Sequence, residues 1–380
     1  MTDRPIAQGT ERRRRPPHIV VDARMLRHSG IGTYLRNLLP RVVARSPEWR
    51  FTVLGSSSAL RQLPALAAPH VAVRECAAPI YSIREQLALP RAVPDDADLF
   101  WATHYVLPLA LRSSLPLLVT VHDVFHLAMP ELAGGPLHRA YARYMFGEVK
   151  RRAAHLLFTT EFARGEFARL LGDDGPPCSI VPLGVTPDWL AADAGTTRPL
   201  DAPYLLYVGN VKPHKNVATL VRAFGRLRDD VPHHLVVVGR LEGLRMRDDE
   251  VRRLAATMPD RVHLVGEVDD AALSAWMRHA DAFAFPSLYE GFGLPPLEAM
   301  VAGCPCLVAR AASIPEVCGD AAHYCDPHRE SDVADRLREL LTDQALRATL
   351  IARGRARAAR FDWDSCAAGT RAAIEEALAA

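Results

Sequence analysis

Short apolar runs rich in β-branched residues alternate with amphipathic helical stretches along the whole chain, and no other feature restricts its fold as much. In the first half the runs are HIVVDA (18–23), RFTVLGS (50–56), VAVREC (71–76), DLFWAT (98–103), PLLVTVH (116–122), HLLFTT (155–160) and SIVPLG (179–184), with helical candidates between them at 136–153 and 161–171. In the second half they are YLLYVGN (204–210), HLVVVGR (234–240), VHLVGE (262–267), AFAFPS (282–287), PCLVAR (305–310) and AHYCDP (322–327). Nearly continuous apolar strands separated by helices predict parallel sheets covered on both faces. The series breaks once, at the small, polar and proline-containing stretch LAADAGTTRPLDAP (190–203), which reads as a linker. Two doubly wound α/β domains follow, as expected for 380 residues, more than one core usually serves.

The last fifty residues read as successive helices with a break near FDWD (361–364). Their Arg/Ala-rich stretch 346–360 allows two readings, an RNA-binding helix or an exposed face laced with charge. The second is favoured.

A net charge of +2 gives no global argument for a nucleic-acid or membrane partner. The local exception is Arg12–Arg15, ahead of Pro16 and Pro17. It is an arm that touches anionic lipid head groups or a solvated, disordered tail, and a run of only four arginines favours the tail. The seven cysteines have irregular spacing and no Cys-x-x-Cys, so they are expected to be small core side chains in a reducing compartment. The N-terminus lacks the apolar core of a signal peptide, and cytoplasm is the expected location.

Ligands of open parallel sheets sit beyond the carboxyl ends of the strands. After the first run, Gly30 and Gly32 precede a helix whose length Pro40 leaves uncertain. His122 and Asp123 stand at the exit of PLLVTVH, and Lys212 and Lys215 lie in NVKPHKN, placed to pair with phosphate. The stretch PSLYEGFGLPPLEAMVAG (286–303) is denser still. Gly291 and Gly293 flank Phe292 and free the loop amides to face an anion, Pro295 and Pro296 suit a helix start, and the helix dipole reinforces the same preference. Glu298 alone would be explained as complementing that dipole, but Glu290 would not. Two acids around an amide-rich loop suit hydroxyls on both sides of a phosphate, the pattern of a nucleotide sugar.

This stretch resembles the donor-site signature of the retaining glycosyltransferases of family four, which have the two-domain GT-B fold. The resemblance continues in order through VDARMLRHSGIGTYLRNLL, LFWATHYVLPL, VTVHDVFHLAMPE, VPLGV, YVGNVKPHKN, VHLVGEVDDAALSAWMRHADAFAFPSLYEGFGLPPLEAM and SIPEVCGDAAHYCDP, from about residue 18 to 365. It implies two Rossmann-like domains facing each other across a cleft. An arm at 1–17 would precede an acceptor-binding domain at 18–190. A linker at 191–203, a nucleotide-sugar-binding domain at 204–362 and a C-terminal helix at 363–380 that packs back on the first domain would follow.

The resemblance also implies roles for residues. Glu290 would hold the donor sugar hydroxyls, Glu298 the ribose, and Lys215 the diphosphate, helped by the amides of Phe292, Gly293 and Leu294. Gly30 and Gly32 would approach the diphosphate from the other domain, His122 would contact the sugar, and Gly266 and Val268 would border the base. Many relatives carry arginine where this chain has Asn210, so that either Lys212 compensates or donor binding is weaker.

The implied reaction retains the anomeric configuration and needs no metal. Asp-x-Asp pairs do occur at Asp96/Asp98 and Asp362/Asp364. The first precedes a strand, at the wrong end of a sheet for a metal-diphosphate site, and the second lies among the terminal helices, so both are expected to be solvated acids or helix caps. GNVKPHKN and HDVFH look most similar to mannosyltransferases of bacterial polysaccharide and O-antigen assembly, which implies GDP-mannose as co-substrate and a glycan or lipid-linked glycan as acceptor. Peripheral contact with the cytoplasmic membrane face would fit such an acceptor. UDP-glucose or another nucleotide hexose stays open, as does a nucleotide-sugar epimerase of the same fold. A hydride-transfer enzyme fails on detail, because Leu35 stands where the dinucleotide fingerprint needs its third glycine.

Overall fold

The computed structural model describes residues 15–185, 197–240 and 248–380. Each of the thirteen apolar runs forms a strand. β1 (His18–Asp22), β2 (Arg50–Gly55), β3 (Val71–Glu75), β4 (Leu99–Ala102), β5 (Leu117–Val121), β6 (His155–Phe158) and β7 (Cys178–Ile180) make one sheet. β8 (Tyr204–Val208), β9 (His234–Val238), β10 (Val262–Gly266), β11 (Ala282–Phe285), β12 (Cys306–Ala309) and β13 (His323–Cys325) make the other. The strand orders are 3-2-1-4-5-6-7 and 10-9-8-11-12-13, and every pairing is parallel. The central strands are buried end to end, since helices cover both faces.

Strand order reverses between β1 and β4, where Ile19 registers with Leu99, and between β8 and β11, where Leu205 registers with Ala282. At such reversals the two flanking loops diverge to opposite faces and leave a crevice at the carboxyl ends. The loops carrying Gly30, Asn210 and Glu290 leave strands at these two reversals.

The helix Ile31–Ala44 runs through Pro40 unbroken, at the cost of the hydrogen bond that the Arg36 carbonyl would have accepted. The final helix, Trp363–Ala379, returns to the first lobe, where Arg45 pairs with Asp364 at 3.0 Å and Arg371 reaches Glu48 at 2.7 Å and the Arg45 carbonyl at 2.9 Å. Ala373, Ile374 and Ala377 bury its inner face.

The stretch 1–17 needs correction as a free arm at its end. Arg15 donates to Asp98 at 2.7 Å and to the Asp96 carbonyl at 2.9 Å, while Arg12–Arg14 fall outside the described residues, as does part of the 191–203 linker. Asp96 and Asp98 are both paired, at the amino ends of β1 and β4, and Asp96 stays exposed to solvent as expected. Asp362 caps the final helix, accepting from the amides of Asp364 and Ser365. In the helix Gln344–Ala358, Arg347 and Arg357 donate to backbone carbonyls and Arg353 lies near Asp320. All seven cysteines are free thiols and all but Cys178 are buried. Among the described residues no helix is long and apolar enough to cross a membrane.

Candidate active site

Glu290 and Lys215 meet where the second sheet reverses. Glu290 sits in the loop that leaves β11. Lys215 ends a short turn of helix, Pro213–Lys215, after β8. The lysine Nζ donates to both carboxylate oxygens of Glu290, at 2.5 and 2.7 Å, and lies 5.5 Å from the centre of the Phe285 ring. Both side chains are largely buried, so the pair is shielded from solvent screening. Asn216, in the left-handed conformation, fixes the turn by donating to the carbonyls of Pro286 and Pro327 at 3.2 and 2.8 Å.

The Gly291–Phe292–Gly293 loop is clamped from both sides. The Ser313 hydroxyl is shared between the carbonyls of Glu290 (2.9 Å) and Phe292 (3.1 Å). From the first lobe, the Thr160 hydroxyl donates to the Gly291 carbonyl at 2.9 Å. A Cβ on Gly291 would lie 2.2 Å from the His122 carbonyl, so only glycine lets the lobes approach this closely. Gly293, at φ 98°, then opens the helix Leu294–Val301, with Pro295 and Pro296 in its first turn. The amide end of that helix faces away from its own chain direction as a positive pole.

His122 comes from the first lobe. Its Nε2–H donates to the Thr103 carbonyl at 3.0 Å and the Tyr34 ring packs edge-on at 4.8 Å, which leaves Nδ1 as the acceptor nitrogen. Burial pushes its pKa down to about 4, so the ring is neutral at physiological pH. Gly30, at φ 73°, precedes the helix Ile31–Ala44 in a conformation that side chains disfavour, and Gly32 lies within its first turn. Asn210, the departure from the family pattern, bridges the lobes by donating to the Ser29 hydroxyl at 3.1 Å. Lys212 immediately precedes the Pro213–Lys215 turn.

Glu298 lies on the second turn of Leu294–Val301, half-buried. Among the described residues its carboxylate has no hydrogen-bond partner. Burial, with the Asp270 charge adding to it, pushes its pKa up to about 7. Gly266 ends β10 and Val268 follows it, packed partly against the core, on the same stretch that leads to Asp270. The candidates thus fall in two groups. Glu290, Lys215, Asn210, Gly30, His122 and Gly291 lie where the lobes touch. Gly266 and Val268 lie at the outer strand β10, whereas Glu298, on the helix after the central β11, is near enough to Asp270 to feel its charge.

Sequence reasoning missed a second buried charge cluster. Arg24 bridges Asp22 at the end of β1 and Glu85 on the helix Ile83–Ala92, with contacts of 2.7 and 2.5 Å. Burial works against ionisation of both acids, yet the guanidinium holds Asp22 below its usual range, while Glu85 is raised. Asp22, Glu85 and His104 have potential ligand atoms within 4.8 Å of one another. Arg24 pairs with both acids, one guanidinium against two carboxyls, while neither ring nitrogen of the buried His104 has a hydrogen-bond partner among the described residues. The only hint in the sequence is an acid two residues ahead of an arginine at the end of an apolar strand. A cavity of 590 Å³ lies elsewhere, at the β13 edge, lined by Arg310, Arg336 and Arg353 among others.

Residues 192–357 match the family described as glycosyl transferases group 1. The chain belongs to that family. It is 28% identical over 283 residues to the O-antigen chain mannosyltransferase B of Escherichia coli, an alignment covering 72% of each protein. It is 34% identical over 280 residues to a D-inositol 3-phosphate glycosyltransferase of Xylanimonas cellulosilytica, covering 68% of this chain and 66% of the relative. Sucrose-phosphate synthase from Thermosynechococcus elongatus superposes with a TM-score of 0.76 at 20% identity, over 96% of this chain and 100% of that one. That likeness shows the fold, GT-B, and with the family match it makes the chain a glycosyltransferase.

Proposed function

We propose that this glycosyltransferase transfers mannose from GDP-mannose to a glycan or lipid-linked glycan of a surface polysaccharide, with retention of configuration and without a metal. The observation that carries the reading is the Lys215–Glu290 pair, held against an amide-rich loop where the two lobes meet. A diphosphate in this crevice draws the ammonium away from Glu290, and the freed carboxylate turns to the sugar hydroxyls. Departure of the diphosphate concentrates negative charge on its oxygens. Lys215 and the amides of Phe292, Gly293 and Leu294 meet that charge without reorganising, and one such donor is commonly worth about a hundredfold in rate. Glu290 steadies the positive charge that develops on the sugar and forms no covalent bond. The acceptor hydroxyl attacks from the face that the diphosphate leaves, and a phosphate oxygen takes its proton. His122, neutral and with Nδ1 open, accepts a hydrogen bond from a donor hydroxyl. Glu298 takes the ribose hydroxyls, with Gly266 and Val268 beside the base. The work is cytoplasmic, since the nucleotide sugar is supplied there.

Mannose is favoured over other hexoses by the similarity to the Escherichia coli mannosyltransferase. The inositol phosphate relative supports a second reading, a different hexose and a small phosphorylated acceptor. Release of nucleoside diphosphate from GDP-mannose, UDP-glucose and UDP-N-acetylglucosamine, with and without a chelator, separates the two. Turnover confined to GDP-mannose and unaffected by chelation supports the reading. Turnover confined to a UDP-sugar overturns the donor assignment, and an inverted product, read by the one-bond C1–H1 coupling in NMR, overturns retention.

A further inference from the structure

The Arg/Ala-rich stretch 346–360 sends two of its guanidiniums to one place. Arg353 and Arg357 come from the helix Gln344–Ala358, and Arg310, just after β12, meets them. All three border the segment 319–324, which leads from the short helix Ile314–Cys318 into β13. Arg310 lies over the Tyr324 ring, 4.5 Å from its centre. Arg353 donates to the Asp320 carbonyl at 3.3 Å. Arg357 donates to the Val317 carbonyl at 2.8 Å, and a Cβ on Gly319 would lie 3.5 Å from its guanidinium carbon. The cavity of 590 Å³ opens here, a size that takes a small metabolite. None of the residues assigned to the sugar donor lines it.

Charge is unbalanced at this end of the cavity. Three guanidiniums meet one carboxylate, that of Asp320, which is largely exposed and 3.7 Å from Arg353. Among the described residues the Arg310 guanidinium has neither an acid partner nor a hydrogen bond, and the Tyr324 ring alone holds it. The other end is already satisfied. There Glu339 takes Arg336 at 2.9 Å and His323 at 2.8 Å, Asp332 lies 3.7 Å from Arg336, and Asp326 accepts from the His328 amide at 3.0 Å.

We propose that the Arg310–Arg353–Arg357 end of this cavity binds a phosphomonoester of a small soluble metabolite, as an effector distinct from the sugar donor. A phosphomonoester carries close to two negative charges at neutral pH, and planar guanidiniums match its oxygens in pairs. A carboxylate brings half that charge. Arg310 is held ready by a ring rather than by an acid, so no ion pair has to break for it to engage. The occupant also has a route to the crevice. Arg357 donates to the carbonyl of Glu316, whose carboxylate grips the amides of Glu161 and Phe162 in the opposite lobe. Ser313, at the start of the same short helix, holds the carbonyls of Glu290 and Phe292. A dianion that draws on Arg357 therefore pulls on the helix that carries both the lobe contact and the clamp of the donor loop. The proposal is independent of which sugar the donor carries.

Calorimetric titration of the intact protein with glucose 6-phosphate, inorganic phosphate and gluconate tests it. Glucose 6-phosphate should bind saturably at one site per chain, and gluconate, with a single charge, should bind more weakly. Loss of one charge-assisted contact is worth about tenfold. Arg310→Ala with Arg353→Ala should therefore weaken binding at least tenfold, while Asp320→Asn, which removes the one opposing charge, should tighten it. Both arginines are exposed, so circular dichroism and the unfolding midpoint should stay unchanged. Lys215→Ala should keep the binding, which separates this site from the diphosphate crevice. Saturating glucose 6-phosphate should alter turnover of the unaltered chain and leave that of the double arginine variant as it was. Absence of binding by both phosphate probes overturns the proposal, as does binding that Lys215→Ala abolishes and the arginine variants leave intact. Gluconate binding as tightly as glucose 6-phosphate overturns the ligand class, and turnover indifferent to the bound probe overturns the effector role.

Discussion

The Lys215 ammonium lies within 2.7 Å of both carboxylate oxygens of Glu290, although 75 positions separate the two residues. Each side chain is thereby kept in the crevice with its charge satisfied until a ligand competes for it. Deleting one partner leaves the other charge largely buried and alone, a loss of about 2 kcal/mol for a charged hydrogen bond. Glu290→Ala and Lys215→Ala should each unfold a few degrees earlier and lose a hundredfold or more in transfer rate. Lys215→Met with Glu290→Met should recover much of the stability and none of the activity, because no lone charge is left. Thermal unfolding and initial rates on the same preparations check both halves.

Gly291 is a position where size alone should matter. An added Cβ would meet the His122 carbonyl at 2.2 Å, and backbone on both sides cannot yield cheaply. Gly291→Ala should cost about 1–3 kcal/mol and push the loop off the first lobe, with the turnover number falling at least tenfold. Gly147→Ala, in the helix Pro136–Arg152 with nothing within 4 Å of the new atom, should instead stabilise by about 0.5–1 kcal/mol. Denaturant midpoints of the two variants should move in opposite directions.

Glu298 should make donor binding depend on pH. Its folded pKa, pushed up to about 7, lies above the unfolded value. Its contribution to stability is therefore fully present below the unfolded value and is lost as pH rises through about 7. A carboxylate that accepts from two ribose hydroxyls must be ionised, so donor affinity should fall as pH drops through the same range. Glu298→Gln should raise the unfolding midpoint of the free protein at pH 8, leave it little changed at pH 5, and flatten the pH dependence of the donor dissociation constant. Calorimetric titrations across pH 5.5–8.5 distinguish this from a merely structural glutamate, which would leave affinity flat in both proteins.

Glu316 joins the lobes in a way that can be weakened without touching the crevice. Its two carboxylate oxygens accept from the amides of Glu161 and Phe162, 2.8 and 2.9 Å away, at the amino end of the helix Glu161–Leu171 in the opposite lobe. An acid there satisfies free amides and complements the helix dipole. Glu316→Ala should cost about 1 kcal/mol and shift the lobes apart, read as a larger radius of gyration in solution scattering. An unchanged radius would show that the other cross-lobe contacts suffice.

The sheets were legible because burial on both faces leaves a local mark: each of the thirteen apolar runs became a strand. The loop glycines, the paired prolines at 295 and 296, and the Asp362 cap were legible for the same reason, since their cause lies within a few residues. Contacts between lobes left no such mark. The sequence suggested that Gly291 frees amides for a ligand, whereas its closest constraint is the carbonyl of His122, 169 positions earlier in the chain. Asn210 read as a missing positive charge, and its amide instead reaches Ser29. The Asp22–Arg24–Glu85 network escaped notice because Glu85 looks like any first-turn helix acid until the fold buries it.

Calorimetric titration of GDP-mannose into the intact protein and into Lys215→Ala tests the central claim most directly. Saturable binding by the unaltered chain, weakened at least tenfold in a Lys215→Ala protein that remains folded, is the expected result. Equal affinity in the two proteins, or binding of no nucleotide sugar by the unaltered chain, would contradict it.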